Sequence, residues 1–274
     1  MFEQTLSSVS SYHCWGSFVE KKFFALSVKS FIFIVFLVSA IFLPTTVNAA
    51  PQIEILTSHT SFIDSIGYFN VVGEVHNVGD QAANYVGVKA TLYNVGNEVI
   101  ATPFNYIALA VLLPDSKSPF RVEFVDITQS ALVDHYSLEV EFTPTDSIPK
   151  QLEIASHNSS IIIGSMVIDG EVKNTGDSTA TYVTVFATCY DEAGKVVQVG
   201  GVYANPVDIG VNQKGPFRLL IDYENTDLIN SYILTTESEN YALIPEFNSY
   251  VLTILTVSVV SIALFFYKRK IIKN

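Results

Sequence analysis

The sequence predicts an all-β protein: two tandem β-sandwich domains, with a signal peptide ahead of them and one transmembrane helix behind. Three observations carry this expectation. The middle of the 274-residue chain is an internal duplication. Within each copy the apolar residues alternate with a period of two, as on a half-buried strand. The two long apolar runs lie near the ends, and they account for the high mean hydropathy of +0.35.

Residues 1–49 read as a secretory signal peptide. Phe31 to Leu43 is a 13-residue apolar run, preceded by Lys21, Lys22 and Lys29 and followed by Val47-Asn48-Ala49-Ala50. A basic region, a short apolar region and small residues in that order are the marks of an export signal. Cleavage is expected after Ala49 or Ala50. A spanning helix needs about 20 apolar residues, so this run is short for an uncleaved anchor.

The two domains are expected at residues 50–143 and 151–236. Residues 73–99 and 170–196, at a constant offset of 97, are identical at 14 of 27 positions. The same offset aligns Ser118-Pro119-Phe120-Arg121 with Gly215-Pro216-Phe217-Arg218. A one-residue shift then aligns Tyr136 and Leu138 with Tyr232 and Leu234. Repetition at this scale means that one unit was copied whole. In the first copy Val86, Val88, Ala90 and Leu92 share one strand face, and in the second Val183, Val185, Ala187 and Cys189 do. Val71, Gly73 and Val75, with Ile168, Gly170 and Val172, belong to the preceding strands. Asn77-Val78-Gly79-Asp80 and Asn174-Thr175-Gly176-Asp177 read as turns in which Asn and Asp tolerate the left-handed region and Gly supplies positive φ. Asp191-Glu192-Ala193-Gly194 is a further turn. Seven short strands per copy, separated by turn signals and without an amphipathic helix, suggest a two-sheet sandwich.

Residues 144–150, with two prolines, read as a semi-stiff connector. Residues 237–249 read as a polar stalk, 250–267 as the transmembrane helix and 268–274 as a basic cytoplasmic tail. Eighteen helical residues from Tyr250 to Tyr267 cover about 27 Å, close to the hydrocarbon thickness of a bilayer. Lys268-Arg269-Lys270 and Lys273 should hold the tail inside, because basic residues beside a span resist translocation. Both ends therefore place residues 50–249 outside the cell and the C-terminus in the cytoplasm before any processing.

Residues 50–247 carry 8 Lys and Arg against 25 Asp and Glu, a net charge of −17, beyond the −12 of the whole chain because the basic residues cluster at the ends. Such a surface repels nucleic acid and excludes that class of partner. Solubility explains the acidity; binding of divalent cations is the alternative. Cys14 lies in the leader and leaves Cys189 alone in the mature chain. An exported protein meets oxidising conditions, yet this one uses no internal disulfide and must rest on its hydrophobic core.

Two resemblances appear at these residues. Ala90-Thr91-Leu92-Tyr93-Asn94 and Ala187-Thr188-Cys189-Tyr190-Asp191, each following a strand and an Asn-x-Gly turn, resemble the Phe-x-Leu-Tyr-Asp (FxLYD) domain family, with Ala where that family has Phe. The resemblance implies an immunoglobulin-like sandwich of the kind found in secreted and surface proteins of prokaryotes. CARDB-type adhesion modules share the strand, Asn-x-Gly, strand pattern. Ile244-Pro245-Glu246-Phe247, the span and the basic tail together resemble the archaeal PEF-CTERM sorting signal, with Asn248 after the motif. That implies recognition by an archaeosortase, a membrane transpeptidase that cuts near Pro245-Glu246-Phe247 and passes the protein to a surface anchor. A plain C-terminal membrane anchor is the alternative. The combination resembles surface proteins of ammonia-oxidising archaea.

Catalytic and metal-binding signatures are missing from the sequence: it has no nucleophile elbow, phosphate loop, zinc-ligand spacing or dinucleotide fingerprint. No cofactor is expected. His59 and His157 fall at matching places near the first strand of each copy, with no second His or Cys at ligand spacing. Cys189 stands where Leu92 stands in the first copy, which predicts a buried, inert thiol. Asp80 and Asp177 read as turn residues bonding their own backbone. Asn158-Ser159-Ser160 makes Asn158 a candidate glycosylation site. Tyr85 and Tyr182, with Tyr93 and Tyr190, recur opposite the aliphatic row, either as an aromatic binding surface or as cross-strand cover. The expected function is that of a non-enzymatic structural or adhesion-type surface protein contacting a protein or glycan. An envelope accessory protein that binds a ligand or a divalent metal is the alternative.

Overall fold

A computed structural model describes residues 50–221 and 224–243. The expected signal peptide, the Ala49 side of its cleavage site, Pro245-Glu246-Phe247, the span and the basic tail lie outside the described residues. Among the described residues no helix is long and apolar enough to cross a membrane.

The described residues are nearly all β, in sandwich-like sheets. The first copy contains β1 (Ile53–Ile55), β2 (Thr60–Ile63), β3 (Phe69–Asn77), β4 (Ala82–Tyr93), β5 (Val99–Ala101), β6 (Phe104–Tyr106), β7 (Val111–Leu112), β8 (Lys117–Phe124), the single helical turn α1 (Ile127–Ser130) and β9 (His135–Thr145). β3 is flanked by β8 on one edge and by β1 and β2 in succession on the other. In the second sheet β4 is flanked by β9 and by the short series β5, β6 and β7. The second copy contains β10 (Lys150–Ile162), β11 (Ser165–Asn174), β12 (Thr184–Tyr190), β13 (Val196–Tyr203), β14 (Lys214–Ile221), a 3₁₀ turn (Thr226–Leu228), β15 (Ser231–Glu237) and β16 (Ala242–Leu243). Here β16 pairs with both β15 and β10 and joins the two sheets into one seven-stranded path, β13-β12-β15-β16-β10-β11-β14.

The period of two does what pleating requires. Val86, Val88, Ala90 and Leu92 point into the first core, and Val183, Val185, Ala187 and Cys189 into the second. Gly73 faces Phe120 across β3 and β8, and Gly170 faces Phe217 across β11 and β14. A Cβ at Gly73 would fall 2.7 Å from Phe120 Cζ, and one at Gly170 2.5 Å from Phe217 Cζ. Each phenyl ring thus lies over bare backbone, which ties the Gly-Glu-Val and Pro-Phe-Arg segments of each repeat to one another.

The structure corrects the reading of the Asn-x-Gly-Asp turns. None of their residues has positive φ. Asn77 and Asn174 are fully buried at strand ends and act through their side chains. Asn77 Nδ2 donates to Gln81 O at 2.8 Å and Leu112 O at 3.1 Å, while Oδ1 accepts from Gly79 N at 3.0 Å. Asn174 repeats all three bonds, with Ser178 O, Ile209 O and Gly176 N. Gly176 is required by close approach, since a Cβ there would lie 2.5 Å from the Tyr241 ring. Asp80 and Asp177 also do not bond their own turn: Asp80 Oδ1 accepts from Ala50 N at 2.8 Å, and Asp177 Oδ1 from the Tyr241 hydroxyl at 2.9 Å.

Two boundaries differ from expectation. β9 runs to Thr145 and β10 starts at Lys150, so the strand-free connector shrinks from 144–150 to residues 146–149. Glu237–Leu243, read as the start of a stalk, belongs to the second sandwich. Tyr241 is buried in its core, and Ala242 N donates to Pro149 O at 2.8 Å. The apolar Tyr241-Ala242-Leu243 run gains more from burial there than from standing in water.

Candidate functional site

The outward face of β3 carries Asn70, Val72 and Glu74, and all three are buried. β13 of the second sandwich lies against β2, β3 and β8. The break between β1 and β2 supplies backbone acceptors to this contact. Val196 N donates to Ser58 O at 2.8 Å, and Lys195 Nζ to Thr57 O at 2.5 Å. Thr60 Oγ1 donates to Val196 O at 2.5 Å, and Ser65 Oγ to Glu224 Oε1 at 2.6 Å. Ala110 N donates to Glu237 Oε1 at 2.6 Å. The copies therefore share side-chain and backbone bonds and form one packed body.

A narrow, mainly apolar cavity of about 210 Å³ lies along this junction, with Glu74, Lys117 and Glu237 among its lining residues. Burial pushes the Glu237 carboxyl up to about 7, against the backbone N–H groups of Ala110 and Val111, which favour the anion. Burial also raises Glu74, opposed by the Tyr190 hydroxyl bonded to it and by Lys117 and His76. Tyr190 is itself raised, first by burial and then by Glu74. At this joint burial disfavours the charged form of both carboxyl groups.

The remaining predicted residues are scattered. His59 Nδ1 lies 2.8 Å from the Tyr136 hydroxyl, and His157 Nδ1 lies 2.8 Å from that of Tyr232. In both pairs the rings meet edge to face with centroids 5.5 Å apart. His59, in the break just before β2, and His157, on β10, thus each tie the start of a copy to its last long strand, β9 and β15. Burial lowers His59, and Lys195 adds to the effect, so its ring favours the neutral form. Among the described residues no group of three or more His, Cys, Asp and Glu could hold a metal ion. Cys189 is fully buried, and burial pushes its thiol up to about 12, so the reactive thiolate is suppressed. Asn158 is exposed on β10 opposite Asp169, and Ala50 is exposed at the start of the described chain.

The four repeated tyrosines do not share one surface. Tyr93 stacks on His135 at 4.9 Å and 10°. Tyr190 bonds Glu74 at the junction. Tyr85 and Tyr182 instead project into solvent, 68% and 59% exposed. Both adopt positive φ, 49° and 54°. That region is unfavourable for a bulky side chain and costs of order 1–3 kcal/mol. At Tyr85 the cause is a bulge where the β4–β9 register shifts between Asn84 and Gly87.

Around Tyr85 the first copy forms an aromatic cleft. The Tyr85 and Tyr106 rings meet at 6.4 Å, and those of Phe104 and Tyr106 at 5.2 Å and 83°. Tyr106 is 56% exposed and Phe104 40%. The adjoining hollow, about 420 Å³, is bounded by residues 84–86 and 106–111. Asn84 belongs to its wall, and Asn84 Oδ1 is buried with no hydrogen-bond partner among the described residues. The sequence reading included Tyr85 but missed Phe104 and Tyr106. A signal existed for Tyr106: at the repeat offset of 97 it aligns with Tyr203, which is also exposed.

Fold and surface together define a class, a tandem β-sandwich protein with exposed aromatic side chains and a buried acidic joint. No family model matches the chain, and no curated protein is similar to it. Among solved structures it is similar to red sea bream transglutaminase, at 8% identity, 70% coverage of this chain, 29% of that one and a TM-score of 0.23. It is also similar to a β-glucuronidase from glycoside hydrolase family 2, at 11% identity, 65% and 23% coverage and a TM-score of 0.25. A third is the exo-chitosanase CsxA of Amycolatopsis orientalis, at 18% identity, 63% and 24% coverage and a TM-score of 0.23. The chain spans less than a third of the length of each, and scores this low carry no argument about function.

Proposed function

We propose that this chain is exported and held at the cell surface, where its two sandwiches act as a structural, adhesion-type module for protein or glycan contact. The observation that supports the reading is the agreement of its two ends. A basic, short apolar leader precedes the sandwiches, and an 18-residue apolar segment followed by Lys268-Arg269-Lys270 succeeds them. Both orient the middle outward. The sandwiches are of the immunoglobulin-like, FxLYD type that the repeated strand-turn motif resembles. Pro245-Glu246-Phe247 is the recognition point of an archaeosortase-type processing enzyme, which exchanges the C-terminal span for a surface anchor.

The intact mass of the protein recovered from cell envelopes tests this reading. The expected product begins at Ala50 or Pro51 and ends near Phe247. A mass that still contains residues 1–49 overturns export by a cleaved signal. A mass that retains residues 248–274 removes the sorting step and leaves a plain anchor. Melting with and without EDTA separates the metal-binding alternative: an unchanged midpoint counts against a structural divalent cation, because a cation bound only to the native state must stabilise it.

A further inference from the structure

We propose that the aromatic cleft of the first sandwich, formed by Tyr85, Phe104 and Tyr106 beside Asn84, binds a neutral pyranose carbohydrate. The proposal deepens the surface-module reading and rests on it for access to glycans.

The chemistry of the walls selects the ligand. Three rings stand partly or largely in solvent within one cluster. The faces of aromatic rings are electronegative. The axial C–H groups of a pyranose are weakly positive and complement them, while its equatorial hydroxyls seek donors and acceptors at the rim. Tyr85 and Tyr106 offer hydroxyl groups, and Asn84 offers an amide whose Oδ1 is unpartnered among the described residues. The hollow of about 420 Å³ falls within the range of small-ligand pockets, about 300–1,000 Å³.

Other occupants fit less well. No charged side chain lines the hollow, so nothing there would pair with a phosphate, a carboxylate or a metal ion. The chain is also acidic overall, with a net charge of −12. A peptide added as an extra strand needs free backbone N–H groups along the wall. Along residues 106–110 those groups are spent. Tyr106 N donates to Asn105 Oδ1 and Ile107 N to Val86 O. Ala108 N donates to Pro119 O, Leu109 N to Ser118 Oγ and Ala110 N to Glu237 Oε1. Recognition must come from side chains, and these are aromatic and neutral. The strained backbone at Tyr85 is consistent with such a role, because it turns a large ring outward where the ring gains little burial.

The second copy is an internal control. It keeps exposed Tyr182 and Tyr203 but has Gly201 where the first copy has Phe104. It also places the Asp208 carboxylate on Tyr182 N at 3.0 Å. There the phenyl ring comes from the paired strand instead: Phe186 lies against Gly201 and packs towards the first copy, and the site carries a charge.

The test is calorimetric titration of the detergent-solubilised full chain with maltohexaose, cellohexaose, chitohexaose and mannohexaose, with oligogalacturonate as the acidic probe. Saturable binding of at least one neutral probe is expected. Tyr106→Ala and Tyr85→Ala should each weaken it by about tenfold or more, roughly 1.4 kcal/mol. Tyr106→Phe, which keeps the ring, should retain most of it, and Tyr203→Ala should leave it unchanged. Equal melting midpoints would show that the variants are folded. The proposal is overturned if no neutral probe binds, if oligogalacturonate binds better, or if Tyr203→Ala costs as much as Tyr106→Ala. Protease accessibility on intact cells provides a separate readout. A protein that is accessible outside yet binds no sugar loses this proposal and keeps the surface reading; one that is inaccessible loses the surface reading whatever the titration shows.

Discussion

Glu74 and Glu171 occupy the same position in the two copies, one residue after the glycine beneath the phenyl ring, yet their surroundings are opposite. Glu74 is buried against the second sandwich, bonded to Tyr190, and its carboxyl is raised by burial. Glu171 stands in solvent, bonded to Lys214 Nζ at 2.8 Å, and its carboxyl is lowered by that lysine. Lys89 and Phe186 make a second such pair. Lys89 forms a surface ion pair with Glu139, whereas Phe186 packs against the core of the first copy. The duplicated inward residues built two similar cores. The divergent outward residues decided which faces meet and which remain in water.

The same contrast holds at the ends of each copy. β10 is continuous through the region where the first copy breaks into β1 and β2, and only that break exposes the carbonyls that Val196 and Lys195 use. β13 is continuous where the first copy has β5 and β6, and the broken edge leaves room for the aromatic cleft. Irregularity in the first copy is therefore where its contacts and its cleft are found.

The sharpest way to break the comparison is to remove the shared core. Phe120→Ala and Phe217→Ala should each cost about 3–5 kcal/mol in denaturant unfolding, because each ring is buried over a glycine. Similar losses within a single transition would show that the copies unfold as one body. Two separate transitions would show that the junction does not couple them.

The next effect is the pH dependence of the junction. With its carboxyl raised from 4.5 to about 7, native Glu237 binds a proton that the unfolded chain has released. Its contribution is therefore full below the unfolded value and is lost as pH rises from 4.5 towards 7, by up to about 3 kcal/mol. Glu237→Gln should flatten that decline in urea midpoints measured across this range. Glu74 has the same sign. Glu171, being lowered, has the opposite one: its contribution is present above the ordinary carboxylate value and lost as pH falls.

Lys195→Ala, which removes the bond to Thr57 O, should cost about 1 kcal/mol and broaden the transition as coupling weakens. The smallest effect is expected for Glu171→Gln, since an exposed ion pair contributes little and is screened by salt. A midpoint shift for Glu171→Gln equal to that for Glu237→Gln would contradict the assignment of one as surface and the other as joint.

Much of the architecture was legible because pleating converts a period of two directly into an inside and an outside. Leu92 and Cys189 could be placed in matching cores from the repeat alone, and the structure buries both. The Asn-x-Gly-Asp segments were legible as turns but not in mechanism. Turn statistics favour backbone conformation, whereas here a buried Asn amide bonds the carbonyls of Gln81, just before β4, and Leu112, on β7. The pairing of His59 with Tyr136 was equally hidden. Both residues recur in the repeat, but their separation of 77 positions is closed only by the fold.

By itself, the sequence determined the β class, the duplication, the inward rows and the matching cores. These follow from local alternation and from self-similarity, which need no knowledge of what packs where. The tertiary structure alone decided that the outer face of β3 is an interface, that Glu237 lies in the joint between the copies, and that Phe104 joins Tyr85 and Tyr106. Those facts depend on long-range closure of loops and edges. An exposed residue and a residue covered by a neighbouring sandwich have the same strand pattern until the second sandwich is put in place.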